Sequence, residues 1–119
     1  MGRSTPPPDI LPAEFFTRWV PNIVESDSDR RARLGDTRAV LAFELLGDDG
    51  GHYHLRVYEG SVTGRCGAHE APDLCVRLDV TTWRELNEGS LSAPEAFLRR
   101  RVQLAGDLRL AVKLHLILG

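Results

Sequence analysis

Residues 39–58 read AVLAFELLGDDGGHYHLRVY, and this stretch decides the fold. Residues 39–46 are apolar apart from Glu44, and the Gly and Asp residues at 47–51 are a strong turn signal. Residues 52–58 then alternate between apolar and polar side chains, which is the pattern of a strand with one buried face. The stretch therefore predicts an antiparallel hairpin whose apolar face packs against the core.

The sequence before the hairpin predicts a tail and two helices. The proline-rich residues 1–9 are expected to form a disordered tail, because consecutive prolines fix φ and remove hydrogen-bond donors. A helix is expected to begin near Leu11 or Pro12, since proline is tolerated in a first turn, and to end or kink at Pro21. Residues 26–33, followed by Gly35, predict a short solvated helix and its end.

The sequence after the hairpin predicts alternating strands and helices. Asp79 or Thr81 can cap one helix, and Ser92 can cap another. Residues 108–118 alternate as a strand would but also carry a helical leucine stripe, and their Leu and Ala content favours a helix. Three further short strands are predicted at residues 61–65, 74–80 and 102–105.

The composition is that of one globular domain, which we place at residues 10–119. The chain has 119 residues, of which 42% are hydrophobic and 27% are charged. A domain of this length buries roughly two-thirds of its unfolded surface without needing a metal or a disulfide framework. The net charge is −2, whereas a protein that mainly binds nucleic acid usually carries a basic excess, so we predict no nucleic-acid partner. Lys113 is the one lysine among 15 basic residues, which we interpret as the bias of a GC-rich, bacterial genome.

No feature of the sequence predicts export or a segment that crosses a bilayer. Residues 1–8 lack the apolar core of a signal peptide, and no apolar run reaches the roughly 20 residues that span a bilayer. Cys66 and Cys75 are too few for a secreted disulfide scaffold, and their redox state stays open. We expect a cytoplasmic protein without stable membrane insertion.

The second half of the chain carries a series of motifs in a fixed order. They are Asp79, a helix with Trp83 and Leu86, Glu88-Gly89, Pro94-Glu95-Ala96-Phe97, the basic Arg99-Arg100-Arg101, Val102-Gln103-Leu104, and Gly106-Asp107 before a Leu/Ala/Lys segment. In this series, residues 78–118 resemble the sterol-carrier-protein-2 (SCP2-like) lipid-binding family, and the N-terminal half is compatible with it. One departure is that family members often have Gly-Lys before the last strand, where this chain has Arg100-Arg101.

The resemblance implies an α+β fold with a particular kind of binding site. A five-stranded, mostly antiparallel sheet is expected to be covered on one face by helices. An apolar tunnel for lipids, acyl chains or other hydrophobic molecules is expected between sheet and helices, with the C-terminal helix in its wall. The resemblance implies no cofactor, no catalytic residue and no metal ligand.

Large apolar side chains are the candidates for such a site, because an apolar ligand is held by removal of its surface from water. For any single candidate an ordinary packed core is the commoner role, and only the resemblance favours a cavity. The predicted ligand-binding residues are Phe15, Trp19, Phe43, Leu45, Tyr53, Leu55, Val76, Trp83, Phe97, Leu110 and Leu114, with Leu41, Val57 and Leu78 as further strand candidates.

Two groups of polar residues offer weaker alternatives. Cys66, His69 and Cys75 have the spacing C-x2-H-x5-C, which matches no common zinc pattern and lacks a fourth ligand. His52 and His54 share one strand face, where solvated histidines are more common than metal ligands or proton shuttles.

Two basic features stand near the C-terminus. Arg99-Arg100-Arg101 suits an acyl phosphate, a coenzyme A phosphate or anionic lipid, although a solvated strand entry is the commoner role. His115 lies in an apolar segment, where a histidine that packs or reaches solvent is more common than a catalytic one.

The sequence therefore predicts non-catalytic binding or transfer of a hydrophobic small molecule, such as a lipid, a fatty acyl chain or a polyketide-like compound. The first alternative is a small cyclase or isomerase of a bacterial secondary-metabolite pathway that uses the same cavity. The second alternative is a dimerising interaction module, which an exposed patch at Trp83 or Leu91 would favour. The sequence leaves a homodimer open as a further partner.

Overall fold

The computed structural model of the protein describes residues 5–118, apart from the side chain of Leu116. The strands predicted after the hairpin and the helix predicted at residues 108–118 are present, within one residue at their ends. No helix in the described part of the chain has the length and apolarity to cross a bilayer. In order, the elements are α1 (Pro12–Glu14), a π-helical turn (Phe15–Trp19), α2 (Val20–Glu25), α3 (Ser28–Leu34), β1 (Ala39–Leu46), β2 (Gly51–Tyr58), β3 (Ser61–Cys66), β4 (Leu74–Asp79), α4 (Val80–Glu88), α5 (Ala93–Leu98), β5 (Val102–Gly106) and α6 (Leu108–Leu118).

The five strands form one sheet in the order β3-β2-β1-β4-β5. β2 pairs antiparallel with β1 and with β3, β5 pairs antiparallel with β4, and β1 and β4 run parallel. Phe43 on the central strand β1 therefore has Tyr53 of β2 on one side and Val76 of β4 on the other. The predicted α+β class, the five strands and the mostly antiparallel pairing are confirmed.

The helices cover one face of the sheet, as predicted. Along β2 and β4 the side chains on this face alternate with more exposed ones, and Leu55 and Leu74 are fully buried there. On the other face, His52 Nε2 and Arg77 Nε lie 3.3 Å and 3.0 Å from the carboxylate oxygens of Glu44. The two-residue period of the strands thus places the core, and any site within it, on a single side.

The N-terminal helix passes through Pro21 by way of a π-helical turn. In this turn the Val20 N–H donates to the Phe15 carbonyl, five residues earlier. The next bond of the series, to the Phe16 carbonyl, would need an N–H that Pro21 lacks. The Phe16 oxygen instead lies against β3, where a Cβ added at Gly64 would overlap it. Glycine at this position therefore allows the π-helical turn to sit directly on the sheet.

The helix does not end at Pro21 but continues as α2 to Glu25. Proline is tolerated because it stands in the first turn of α2, where its missing N–H costs little. The following helix α3 is capped by Asp27, whose carboxylate accepts from the Asp29 N–H at 2.9 Å, and it stops before Gly35 as predicted.

The prediction of a disordered tail over residues 1–9 stays a prediction. Residues 1–4 lie outside the described residues. Further along, the Ile10 N–H donates to the Pro7 carbonyl at 3.1 Å, and the Ile10 side chain belongs to the hydrophobic core. The chain is thus anchored in the core at Ile10, ahead of the first helix.

Hydrogen bonds from side chains fix α4 between β4 and β5. Asp79 caps the helix by accepting from the Thr82 N–H at 2.7 Å. Arg101, which precedes β5, donates to the buried Thr82 hydroxyl at 3.1 Å and to the Glu85 carboxylate at 2.7 Å. The helix ends where Gly89 adopts a left-handed conformation, with φ of 82°.

We predict that Gly64→Ala destabilises the protein by about 1–3 kcal/mol, because the added methyl forces the π-helical turn away from β3. The free energy of unfolding in urea measures this effect. Thr63→Ala, on the exposed side of the same strand, is the control and should stay within about 0.5 kcal/mol of wild type. A Gly64→Ala protein as stable as the control would show that the close contact is unimportant.

We also predict an acid-dependent contribution from Asp79. The backbone N–H of Thr82, then the Thr82 hydroxyl, lowers the pKa of Asp79, with a smaller contribution from Arg101. A lowered pKa stabilises the folded protein above the unfolded value of about 4, and this contribution is lost as the pH falls through the folded value. Asp79→Asn keeps a cap without a charge, so it should cost about 0.3–1 kcal/mol at pH 7 for this exposed group. Urea unfolding across pH 2–7 should show the difference from wild type shrinking in acid; a constant difference would contradict the prediction.

Candidate ligand-binding cavity

An apolar cavity of about 290 Å³ lies between the covered face of the sheet and the helices that pack over it. Its volume is at the lower end of the ~300–1,000 Å³ that is typical of small-molecule sites. Strands β1, β4 and β5 supply one side, and the π-helical turn, α4, α5, α6 and the N-terminal segment supply the rest. The lining residues are Thr5, Pro6, Phe15, Phe16, Trp19, Phe43, Val76, Leu78, Trp83, Leu86, Asn87, Leu91, Ser92, Ala93, Phe97, Val102, Leu104, Ala111, Leu114, His115 and Leu118.

Aromatic rings from three elements form one wall of the cavity. Phe15 stacks on Trp19 with ring centroids 5.3 Å apart, and meets Trp83 of α4 edge-on at 5.2 Å. Phe16 lies 4.6 Å from the ring of Phe43 on β1. Such contacts contribute about 0.5–1.5 kcal/mol each beyond area burial. The π-helical turn, seated on Gly64, therefore presents a rigid aromatic surface.

Helix α6 has one row of side chains that lines the cavity and another side chain that packs in the core. Ala111, Leu114, His115 and Leu118 line the cavity at spacings of three and four residues. Ile117 points to the core and is almost fully buried. Since Ala111 carries only a methyl group, the wall recedes at that position, and a larger side chain there would extend into the cavity.

The wall contains few polar groups. Among the described lining residues these are Thr5, Asn87, Ser92 and His115, and none is Asp, Glu, Lys or Arg. The Trp83 indole N–H and the Asn87 side-chain nitrogen are buried, and neither has a hydrogen-bond partner among the described residues. A buried donor without an acceptor costs about 1–3 kcal/mol. The α4 side of the wall therefore has unused hydrogen-bonding capacity.

Arg84 ties the N-terminal segment to α4. Its guanidinium donates from Nη1 to the carbonyl oxygens of Pro8 and Ile10, each at 3.1 Å. Earlier in the same segment, Thr5 and Pro6 line the cavity. Part of the segment that we predicted to be a tail thus lies in the cavity wall.

Most of the predicted ligand-binding residues line the cavity, although their contact with a ligand stays a prediction. The residues at the cavity are Phe15, Trp19, Phe43, Val76, Trp83, Phe97 and Leu114, together with the further candidate Leu78. Those that do not line it are Leu45, Tyr53, Leu55 and Leu110, together with the further candidates Leu41 and Val57. All of these are buried in the core except Leu110, which is half-buried against it.

Some predicted residues line the cavity and others lie in the packed core because different helices cover different parts of the same sheet face. Tyr53 lies beneath the π-helical turn, where its ring stacks on Phe16 with centroids 5.0 Å apart. Burial raises the pKa of Tyr53, first of all by removing the phenolate from water. The two-residue period identifies which strand residues face the helices, but it does not reveal which of them face a void.

Several lining residues were not among the candidates. Phe16 and Leu86 carry an apolar signal at helical spacing that could have identified them. Ala93 and Ala111 carry no such signal, because a small residue beside a void has the same sequence pattern as a small residue in a tight contact. The missed residues are Thr5, Pro6, Phe16, Leu86, Asn87, Leu91, Ser92, Ala93, Val102, Leu104, Ala111, His115 and Leu118.

The polar alternatives do not assemble into a second site. No group of three or more His, Cys, Asp or Glu side chains suitable for a metal occurs among residues 5–118. Cys66 and Cys75 are free and exposed. His54 Nδ1 lies 3.0 Å from the Gly67 carbonyl oxygen, and its ring contacts that of His69 at 5.2 Å between centroids.

Comparison with known proteins agrees with the fold. The model of the SCP-2 sterol transfer family matches residues 20–119. Hydroxysteroid dehydrogenase-like protein 2 of Mus musculus is 29% identical over 94 residues, which are 78% of this chain and 19% of that protein. The chain thus spans about a fifth of the length of this curated relative.

Two solved structures share the fold. The stereoselective inverting sec-alkylsulfatase Pisa1 from Pseudomonas sp. matches 92% of this chain with 16% of its own, at a TM-score of 0.72 and 21% identity. Palmitated SCP2L2 from Aedes aegypti matches 82% of this chain with 91% of its own, at a TM-score of 0.59 and 19% identity. The same architecture therefore occurs both as a small protein and as a fraction of a larger one.

We predict that Arg84→Ala loosens the N-terminal segment, because it removes both hydrogen bonds to Pro8 and Ile10. Two such bonds contribute about 1–2 kcal/mol, so amide exchange at Ile10 should accelerate roughly 5–30-fold. Hydrogen–deuterium exchange of the peptide that contains Ile10 measures this rate. Arg77→Ala, which removes an arginine from the uncovered sheet face, is the control, and equal exchange in both variants would contradict the prediction.

Proposed function

The chain belongs to the SCP-2 sterol transfer family, and from this premise we propose that it binds a hydrophobic small molecule in the cavity and transfers it unchanged. The ligand class is a lipid, a fatty acyl chain or a polyketide-like compound. The observation that carries the proposal is the apolar cavity of about 290 Å³ between sheet and helices. We place this activity in the cytoplasm on the sequence grounds given above.

The chemistry of the lining supports an apolar ligand. Each methylene group that leaves water contributes about 0.8 kcal/mol, and no charged Asp, Glu, Lys or Arg side chain stands among the described lining residues to oppose its entry. Affinity should therefore rise with the length of an acyl chain until the cavity is full. The palmitate carried by the Aedes aegypti neighbour supports an acyl chain as one such ligand.

The cavity wall offers two positions at which a polar end of the ligand could bind. Asn87 and the Trp83 indole offer unpartnered donors on the α4 side, and His115 lines the cavity while remaining exposed to solvent. Both suit an acceptor oxygen, such as that of a carboxylate or a carbonyl. We therefore favour amphipathic ligands with one oxygen-bearing end over pure hydrocarbons.

An enzymatic alternative has one observation in its favour. His115 is a titratable side chain in the cavity wall and could move a proton. Conversion of a substrate would support the enzymatic alternative, provided that His115→Gln abolished turnover and left binding intact. The other alternative is an interaction module, which an exposed patch at Trp83 or Leu91 would have favoured. Both residues are buried.

We predict that saturated fatty acids change the intrinsic fluorescence of the protein with micromolar affinity. Trp19 and Trp83 are the only two tryptophans of the chain, and both line the cavity, so an occupant alters the surroundings of both. The dissociation constant should fall roughly 3–4-fold per added methylene until the cavity is full. Native mass spectrometry should show one acyl chain retained per protein.

A cavity-filling variant makes this test specific. Ala111→Phe should weaken acyl-chain binding at least roughly tenfold, because its ring occupies the space that the ligand needs. Ala105→Phe places the same side chain on an exposed strand residue outside the lining and should bind like wild type. No fluorescence response to any chain length, or equal binding by both variants, would refute the proposal.

A further inference from the structure

Four exposed apolar side chains stand beside the cavity. Phe97 and Leu98, at the end of α5, are 51% and 79% exposed, and Leu108 and Val112 on α6 are 54% and 62% exposed. We call these four residues the apolar rim. Phe97 also lines the cavity, so the rim extends the apolar lining outward to the surface.

Helical geometry places the α6 part of the rim next to the cavity. Residues three and four apart share a face of a helix, so Leu108 and Val112 share one with Ala111 and His115. Ala111 and His115 line the cavity, whereas Leu108 and Val112 are exposed. On this helix, residues that line the cavity therefore lie next to exposed apolar residues.

Charge is distributed unevenly in the same part of the chain. Residues 97–118 contain five of the 15 Lys and Arg residues and one of the 17 Asp and Glu residues. Three of the five basic groups are partly neutralised by the ion pairs Arg99–Glu95, Arg101–Glu85 and Arg109–Asp107. Residues 97–118, which contain the whole apolar rim, thus carry a basic excess in a protein whose net charge is −2.

Among these basic residues, Arg100 has an unusual backbone conformation and, within the described part of the chain, an unpaired charge. It adopts a left-handed conformation with φ of 60°, just after the α5 C-cap, where glycine is the usual residue. The Arg100 N–H donates to the Phe97 carbonyl and the Arg101 N–H to the Ala96 carbonyl, which completes the helix end. Its exposed guanidinium has no carboxylate partner within residues 5–118. Arginine is therefore an unfavourable choice for the backbone here, and its charge is available to a partner.

We propose that the apolar rim and Arg100 dock the side of the cavity formed by α5 and α6 onto an anionic phospholipid surface. The four apolar side chains enter the boundary between headgroups and acyl chains, and Arg100 meets the lipid phosphates. An apolar ligand can then pass between the membrane and the cavity without crossing water. The inference rests on the proposed function, since it concerns access to the same cavity.

Sedimentation with unilamellar vesicles tests the docking. The wild-type protein should co-sediment with vesicles of phosphatidylcholine mixed with phosphatidylglycerol, and less with phosphatidylcholine alone. High salt should weaken the binding, because it screens the exposed charges. Equal binding to both kinds of vesicle, or no binding to either, would overturn the proposal.

Two variants separate docking from folding and from ligand binding. Arg100→Gly removes the charge and the backbone strain together, so it should raise or preserve the melting temperature while weakening vesicle binding roughly fivefold, as expected for ~1 kcal/mol per basic residue. Leu98→Asp should weaken it roughly tenfold or more. Neither residue lines the cavity, so both variants should keep the fatty-acid fluorescence response in solution.

Leu46→Asp is the matched control, because Leu46 is an exposed leucine at the end of β1, on the side-chain register of the uncovered face. It should bind vesicles like wild type. Light scattering at the same protein concentration tests the rival occupant: a dimer that Leu98→Asp dissociates, without vesicle binding by wild type, would assign the rim to a second copy and overturn the proposal. If vesicle binding is seen but no fatty acid binds, the docking stands and the proposed ligand fails.

Discussion

The contact between the Phe16 carbonyl and Gly64 is the constraint on which the rest of the molecule depends. Pro21 denies this carbonyl the next bond of the π-helical series, and the absent side chain of Gly64 lets it lie on β3. The turn that follows from this contact carries Phe15 and Trp19 to the cavity. Local backbone chemistry thus decides where the aromatic wall stands, and the wall in turn bounds the space beneath α6.

The sheet separates an apolar environment from a charged one. Its covered face supplies apolar walls, and its other face holds charged groups such as the Glu44, His52 and Arg77 cluster in water. The lining residues come from elements that are distant in sequence, from the N-terminal segment to α6. A substitution in any one of these elements therefore changes the shape of the same space.

The architecture was predictable from the sequence to a large extent, because it rests on regular patterns. Alternation in residues 52–58 indicated the buried face of β2, and the capping residues Asp79 and Ser92 marked the starts of α4 and α5. The cavity was less predictable, since Ala111 beside a void looks like any buried alanine. The course of the chain past Pro21 escaped prediction as well, because it depends on Gly64, which is more than 40 residues away in sequence.

The parallel pairing of β1 with β4 has a consequence for how the molecule is made. β2 and β3 follow β1 along the chain and pair locally, whereas β4 reaches β1 only after the loop that leads to Leu74, which pairs with Leu41. The remaining walls, α4, α5 and α6, come later still. During synthesis strands β1 to β4 therefore leave the ribosome before the helices that complete the cavity wall, and the cavity can be enclosed only after α6 has emerged.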